Sequence, residues 1–432
     1  MKRFSIETGL KWRKGNLEDA TVLQAEWLQD HIRQAGKAPF YKELLHKVGC
    51  RPEDIKSVND IRHLPFTFRK DLDDQQSAFQ AVSDEHVADI ALTSGTTGNS
   101  VQVPYTKRDL ERLAFNEAMA FLGTGASPSD RYLLCVTIDR CFIAGLAYYS
   151  GLVKLGAAVI RSGPGQPARQ WELIRQLKPN GIVGVPSFLL KMAKWGTDHG
   201  LDPAQANIRS MVTVGEPVRK PDHSLTPLAR DLCDAWDAPV FSSYGATEFE
   251  TAFCECSAQQ GGHVHPELML TEIVDDAGNV LPDGEPGEVV VTPLGVEGFP
   301  LVRFRTGDIA RLHAGHCSCG WQTPRLGAIE GRLAQRLKYK GTTLYPEMIF
   351  HVLQEIKSVE ACYVEVRSAA DQTDEVRVVV GSDAAVDTKE ITDFLQARLR
   401  VCPEVHVKDK PSVVQVMEAA GGRKLQRFFD FR

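Results

Sequence analysis

Ala91-Leu-Thr-Ser-Gly-Thr-Thr-Gly-Asn-Ser100 carries the end of an apolar, β-prone run into a loop of small hydroxyl residues and glycines. Glycine lets a backbone approach a ligand closely with its N–H groups turned inward, while Ser94, Thr96 and Thr97 add hydroxyl donors around Gly95. Such a loop can wrap phosphates. It lacks the Gly-Lys-Ser/Thr ending of a P-loop nucleotidase, which argues against a kinase or GTPase.

Downstream of this loop, β-rich runs at Tyr132–Ile138, Ala157–Ile160, Gly181–Val185, Met211–Val214 and Pro239–Ser243 alternate with helical stretches. That rhythm predicts an α/β fold of parallel sheets covered by helices. Upstream, the first eighty residues read as amphipathic helical scaffold, with apolar residues at helical spacing over Ala20–Ala35 and turns at Pro39, Pro52 and Pro65. Between Leu268 and Leu312 the pattern becomes hairpin-like, with turns at Asp276–Asn279 and Pro282–Gly284, and predicts a β-rich subdomain. Beyond Gly327 lies a smaller unit with a helix near Pro346–Ile356 and a strand near Val376–Val380. The expected organisation is a large amino-terminal domain over 1–330, including a β-rich subdomain over 250–327, and a small, mobile α+β carboxy-terminal lid over 331–432.

At 432 residues, with 43% hydrophobic and 25% charged, the chain can bury a large core. Its formal charge of -6 gives no global attraction for nucleic acid or an anionic membrane. The longest nearly apolar stretch, Cys141–Val153, is too short to cross a bilayer, and the first residues lack the apolar core of a secretion signal. Those features predict a cytoplasmic location. Ten cysteines are too few for a disulfide scaffold in a chain of this length, and six Cys and His residues fall into two short clusters. The clusters are Cys254, Cys256, His263 and His265, then Cys317 and Cys319. Zinc prefers thiolates and imidazoles in a tetrahedral array, so Cys256, His263, Cys317 and Cys319 are the chosen ligands of a structural Zn2+, with Cys254 and His265 as alternates.

Other motifs accompany the phosphate loop. Val212-Thr-Val-Gly-Glu-Pro217 and Ser243-Tyr-Gly-Ala-Thr-Glu248 each put a glycine and a carboxylate at a strand end, where α/β sheets bind ligands. Arg303-Phe-Arg-Thr-Gly-Asp308, the basic segment Gly331–Gly341, and the tail Gly421-Gly-Arg-Lys-Leu-Gln-Arg-Phe-Phe-Asp-Phe-Arg432 follow in order. Together they resemble the core motifs of the adenylate-forming superfamily, specifically its phenylacetate-CoA ligase group, over nearly the whole chain.

The resemblance implies an ATP-dependent acid-CoA ligase that makes an acyl-adenylate and then a thioester, with an aromatic acid such as phenylacetate or a benzoate as substrate. It implies ATP, Mg2+ and coenzyme A as cofactors and co-substrates. On the family pattern Glu248 holds magnesium and Thr247 contacts phosphate. Tyr244 stacks near adenine, Gly215, Glu216, Pro217 and Gly245 line that pocket, and Asp308 holds the ribose with Arg332. Lys424 matches the lysine that grips both reacting groups, with Arg423 as rival and Arg427, Asp430 and Arg432 at the family's spacing. Leu333 and Ala334 fall at the hinge, where relatives commonly carry Asp or Lys. Lys338, Lys340 and Gly341 match the loop bordering the thiol tunnel.

Phe142, Gly145, Ala147 and Ala246 match the acyl pocket. This chain departs from the family there, carrying Thr137-Ile-Asp-Arg-Cys141 in place of a stretch rich in glycine and tyrosine. Two other readings stay open: a stand-alone adenylation enzyme loading a carrier-protein thiol, and a non-catalytic, zinc-stapled binding protein. A homodimer is compatible with the resemblance.

Overall fold

The computed structural model describes residues 3–15, 17–93, 100–340, 342–368, 374–384, 386–419 and 425–432. The chain forms two compact units, Met1–Thr306 with Ala310–Ala328, and Gly307–Ile309 with Ile329–Arg432.

Helices α1 (Ile6–Lys14), α2 (Leu17–Ala35), α3 (Pro39–Val48) and α4 (Arg69–Gln75) open the first unit. Leu28, Ile32 and Ala35 of α2 are completely buried, four and three residues apart, so the helix turns one apolar stripe inward. Proline in the first turn starts α3, and Gly49, in the left-handed region at φ 64°, ends it. A hairpin follows, in which β1 (Val87–Leu92) runs antiparallel to β2 (Gln102–Thr106).

The central sheet grows from α5 (Lys107–Gly123), β3 (Arg131–Leu134), α6 (Ile143–Leu155), β4 (Ala158–Arg161), α7 (Pro167–Leu177) and β5 (Gly181–Gly184). It continues through α8 (Pro186–Asp198), β6 (Ser210–Val214), α9 (Pro227–Trp236), β7 (Val240–Ala246) and β8 (Thr251–Cys254). The strand order is β4-β3-β5-β6-β7-β8, parallel except for the antiparallel edge strand β8.

Alternation explains why these strands read as continuous apolar runs. Leu133, Ile182, Met211 and Val240 point to a core shared with Trp171, Leu189, Met192, Leu232 and Trp236 of α7 to α9. Their neighbours Tyr132, Leu134, Val183, Val212 and Phe241 point the other way, against Phe121 of α5 and Tyr148, Leu152 and Leu155 of α6. A sheet covered on both faces has no polar face to show. Helices α5 and α6 touch closely, since a β-carbon at Gly151 would lie 2.3 Å from Glu117 Cβ.

The β-rich part of the unit contains β9 (Gly262–His263), β10 (Met269–Val274), β11 (Gly287–Pro293), β12 (Phe304–Ala310), β13 (Leu312–His313) and β14 (Arg325–Leu326). Strands β10 and β11 pair antiparallel over six residue pairs, and β13, β14 and β9 form a small sheet of their own. The turn that leaves β10 is tied by Asp275, whose carboxylate accepts the Asn279 N–H at 2.8 Å.

In the second unit, Asp308 and Ile309 of β12 pair with β15 (Gly331–Arg332). A hairpin, β16 (Leu337–Tyr339) and β17 (Thr342–Leu344), precedes α10 (Pro346–Leu353). Strands β18 (Ala361–Ser368) and β19 (Asp374–Gly381), helix α11 (Thr388–Leu399), β20 (Glu404–Lys408), α12 (Lys410–Glu418) and β21 (Phe428–Asp430) complete it. The sheet order β20-β19-β18-β21 buries Val364, Val366, Val378 and Val380 against Ile349 and Leu353 of α10 and Ile391 and Leu395 of α11. Among the described residues no helix is long and apolar enough to cross a membrane.

Candidate active site

Strands β5, β6 and β7 end side by side, and the Gly215–Pro217 and Tyr244–Glu248 motifs lie at or just beyond the ends of the last two. Gly215 follows β6 at φ 86°, a backbone state that glycine enters without strain. Glu216 is not a free carboxylate: it accepts the Ser187 N–H at 2.9 Å and the Ser187 hydroxyl at 2.8 Å. Tyr244 and Gly245 lie in β7, with the Tyr244 ring 6.0 Å from Phe249 and 6.1 Å from Phe253.

Thr247 and Glu248 occupy a short 3-10 turn just after β7. Three contacts from distant elements fix that turn. Tyr105 of β2 donates its hydroxyl to Thr247 O at 3.2 Å. Arg69, at the start of α4, reaches Glu248 at 2.7 Å and Thr93 Oγ1 at 3.4 Å. Arg112 of α5, wholly buried, donates to Glu250 O, Thr251 Oγ1, Leu268 O and Leu294 O at 2.6–2.9 Å. Glu250 has φ 52°, a state unfavourable for a side-chain-bearing residue, and the Arg112 bond to its carbonyl holds it there.

Ser94, Gly95, Thr96 and Thr97 lie outside the described residues. The feet of their loop are described: the Thr93 and Val101 backbones bond at 3.0 Å, and Val101 N–H also reaches Thr93 Oγ1 at 2.9 Å. Arg69 therefore joins the base of this loop to Glu248.

Of the four acyl-pocket candidates, Phe142 lines a cleft of about 260 Å³ together with Ile90, Ile138, Cys141, Ile143, Leu146 and Asp89. Gly145, Ala147 and Ala246 are not brought to it. A β-carbon at Gly145 would lie 1.8 Å from Thr137 O, so glycine there is the condition for α6 to approach residues 137–138. Ala147 is 4% exposed inside the fold, and Ala246 pairs with Thr251 at the end of β7. The β3 strand stops at Leu134, short of the expected Ile138. The chain then turns through two successive left-handed residues, Arg140 and Cys141, before α6. Asp139 and Arg140 are about three-quarters exposed.

In the second unit, Asp308 and Arg332 face each other across β12 and β15, with Arg332 Nε 3.2 Å from the Asp308 carboxylate. Leu333 and Ala334 form the 3-10 turn that follows. Lys338 lies in β16, and Lys340 rests 5.0 Å from the Tyr339 ring with its ammonium 3.4 Å from Cys402 O. Gly341, Arg423 and Lys424 lie outside the described residues. Farther along the tail, Arg432 bonds Asp430 at 2.7 Å and Asp374 at 3.2 Å.

Cys256, His263, Cys317 and Cys319 converge in the β-rich part, their ligand atoms all within 4.8 Å of one another. The Cys256 and Cys317 sulfurs are 3.6 Å apart, and Cys319 Sγ is 3.3 Å from His263 Nε2. A tetrahedral zinc with ordinary bond lengths would set these separations at about 3.8 and about 3.6 Å, so the quartet fits that ion. His263 Nδ1 is engaged by Thr323, 2.8 Å from its hydroxyl, which leaves Nε2 aimed at the cluster. Burial pushes the His263 imidazole down to about 4, so it is uncharged at neutral pH. The two alternates point elsewhere: Cys254 packs into the core beneath α5 and α6, and His265 contacts Arg13.

The model of the AMP-binding enzyme family matches residues 21–296 of this chain. The chain belongs to that family. Within it, this AMP-binding enzyme is 29% identical to a phenylacetate-coenzyme A ligase of Thermus thermophilus over 96% of this chain and 97% of that protein. It is 30% identical to a phenylacetate-coenzyme A ligase of Pseudomonas putida over 79% of this chain and 76% of that one. A crystal structure of 2-hydroxyisobutyryl-CoA ligase in its postadenylation state shares the fold, with a TM-score of 0.85 at 20% identity, covering 98% of this chain and 92% of that one. This AMP-binding enzyme is phenylacetate-CoA ligase-like, an AMP-forming acid-CoA ligase whose substrates are a carboxylic acid, ATP and CoA.

Arg69 and Arg112 of this AMP-binding enzyme stand outside the sequence motifs, and their partners are 179 and 138 residues away. Only their positions just after Pro65-Phe-Thr-Phe68 and inside an amphipathic helix could have drawn notice. Arg69→Ala removes a charge-assisted bond from Glu248 and the link to Thr93. It is expected to lower kcat/KM for ATP by about tenfold or more, read from pyrophosphate release at saturating acid. Unchanged ATP kinetics would dismiss Arg69 from the site.

Proposed function

We propose that this ligase activates an aromatic carboxylic acid, phenylacetate-like or benzoate-like, as its acyl-adenylate and then passes the acyl group to the thiol of coenzyme A. The cleft beside Phe142 carries the substrate class. Ile90, Ile138, Phe142, Ile143 and Leu146 give it apolar walls, and the bond from Leu92 N–H to Cys141 O, 2.9 Å, ties that wall to the strand feeding the phosphate loop. A flat ring suits such a slot. Burying a ring removes roughly 150–250 Å² from water, a few kcal/mol at about 25 cal/mol per Å² before binding costs. The phenylacetate ligases among its relatives support an arylacetate. The replacement of the family's glycine- and tyrosine-rich stretch by Thr137-Ile-Asp-Arg-Cys141 extends the proposal to benzoates.

The chemistry asks an anionic carboxylate to attack the α-phosphate of ATP, so charge has to be neutralised and the reactants held. In this proposal Ser94, Gly95, Thr96, Thr97 and Thr247 hold phosphate oxygens, and Tyr244 with the Gly215–Pro217 loop and Gly245 borders the adenine. Asp308, with Arg332 beside it, takes the ribose hydroxyls. Lys424 bridges the reacting groups, and Lys338, Lys340 and Gly341 border the path of the incoming thiol. Glu248, largely buried and with one carboxylate oxygen held in place by Arg69, would be the residue to hold Mg2+, which when bound would offset the charge of the phosphates. Cys256, His263, Cys317 and Cys319 would hold a structural Zn2+, with no open position for substrate.

Pyrophosphate release across a panel of acids tests the substrate. Benzoate-like or arylacetate-like acids are expected to exceed acetate and palmitate in kcat/KM by about tenfold or more. If fatty acids of eight or more carbons prove best, the aromatic assignment fails.

A further inference from the structure

Helix α8 starts without a cap of its own. Val185 is its N-cap, with no side-chain acceptor to offer, and Pro186 stands in the first turn. First-turn amides need acceptors and carry the positive end of the helix dipole. Here the acceptor comes from another strand end: Glu216 takes the Ser187 N–H on one oxygen, at 2.9 Å, and the Ser187 hydroxyl on the other, at 2.8 Å. Strands β5 and β6 are parallel neighbours, with Gly184 opposite Thr213, so this clamp ties together the loops leaving both. It grips the middle of Gly215-Glu-Pro217, between a left-handed glycine and a proline whose ring fixes its own φ.

We infer that Ser187 is a positioning residue for the nucleotide, acting through Glu216. With its carboxylate committed to the start of α8, Glu216 serves the nucleotide through the backbone shape of its loop rather than through its charge. A loop held in place beforehand loses less freedom when ATP arrives. The inference rests on the proposed role of Gly215–Pro217 as the wall of the adenine pocket.

The test compares full-length wild type with Ser187→Ala, Ser187→Thr and Glu216→Gln. ATP binding is read by calorimetry, the KM values for ATP, acid and CoA by steady-state assay, and the unfolding midpoint by circular dichroism. Ser187 is exposed, so its replacement leaves the core untouched. Ser187→Ala is expected to raise the Kd and KM for ATP about tenfold while the other KM values and the midpoint stay put, with Ser187→Thr restoring ATP affinity. Glu216→Gln, which keeps the shape but weakens both bonds, should fall between. Equal ATP affinity in wild type and Ser187→Ala overturns the inference, as does a parallel rise in all three KM values with a lower midpoint. If the wild type itself fails to bind ATP, the nucleotide reading falls and the inference with it.

Discussion

Lys424→Ala is expected to cut pyrophosphate release by about 10²- to 10³-fold, the usual loss when a preorganised electrostatic partner of a transition state is removed. Thioester formation from a supplied acyl-adenylate and CoA should remain near wild type, because the lysine serves only the step in which carboxylate and α-phosphate meet. A compact ammonium on a flexible stem suits that step better than a broad, planar guanidinium. The described residues that follow it are held in the sheet of the second unit. Phe428–Asp430 pairs in parallel with Val364–Val366, and Arg432 ties the last residue to Asp374 and Asp430. Arg423→Ala is the control, expected to stay active. Equal loss of both half-reactions in Lys424→Ala, or loss only in Arg423→Ala, would move the role elsewhere.

The second large effect concerns metal. Purified protein is expected to carry close to one zinc per chain, and Cys317→Ser combined with Cys319→Ser to carry none. Those sulfurs belong to a cluster that ties together segments far apart in the chain, since Cys256 lies 61 residues before Cys317 and His263 56 before Cys319. Losing several kcal/mol of metal-coupled folding energy should lower the unfolding midpoint by roughly 10 °C, with a smaller effect on kcat/KM than on stability. Elemental analysis and thermal denaturation check both parts. A metal-free preparation of undiminished stability would leave the quartet as four free side chains.

Two-sided burial made the central sheet legible in the sequence, because strands such as Gly181–Gly184 and Ser210–Val214 have no polar face to blur the apolar signal. Their ends were less readable. The run from Tyr132 to Ile138 is apolar enough for a long strand, yet the chain leaves the sheet at Leu134 and turns through Arg140 and Cys141, neither of which is a residue type that announces a left-handed turn. Edge strand β8 and the pairing of β1 with β2 were also invisible to a reading of local periodicity. In the site, strand-end motifs showed where Gly215, Tyr244 and Glu248 would lie. The groups that hold them, Arg69, Tyr105, Arg112 and Ser187, come from elements far away in the chain, and no local pattern encodes such pairings. Gly145 makes a related point, since its missing side chain leaves room for Thr137 of the protein itself, a close approach that no local pattern encodes.

Gly145 has a further meaning for anyone wishing to change what this ligase accepts. With no space for even one more carbon between α6 and Thr137, the helix is seated against backbone, which cannot be trimmed by mutation. On the proposed role of the cleft, a library aimed at new acids should hold position 145 as glycine and diversify positions 90, 138, 142, 143 and 146, whose side chains line it.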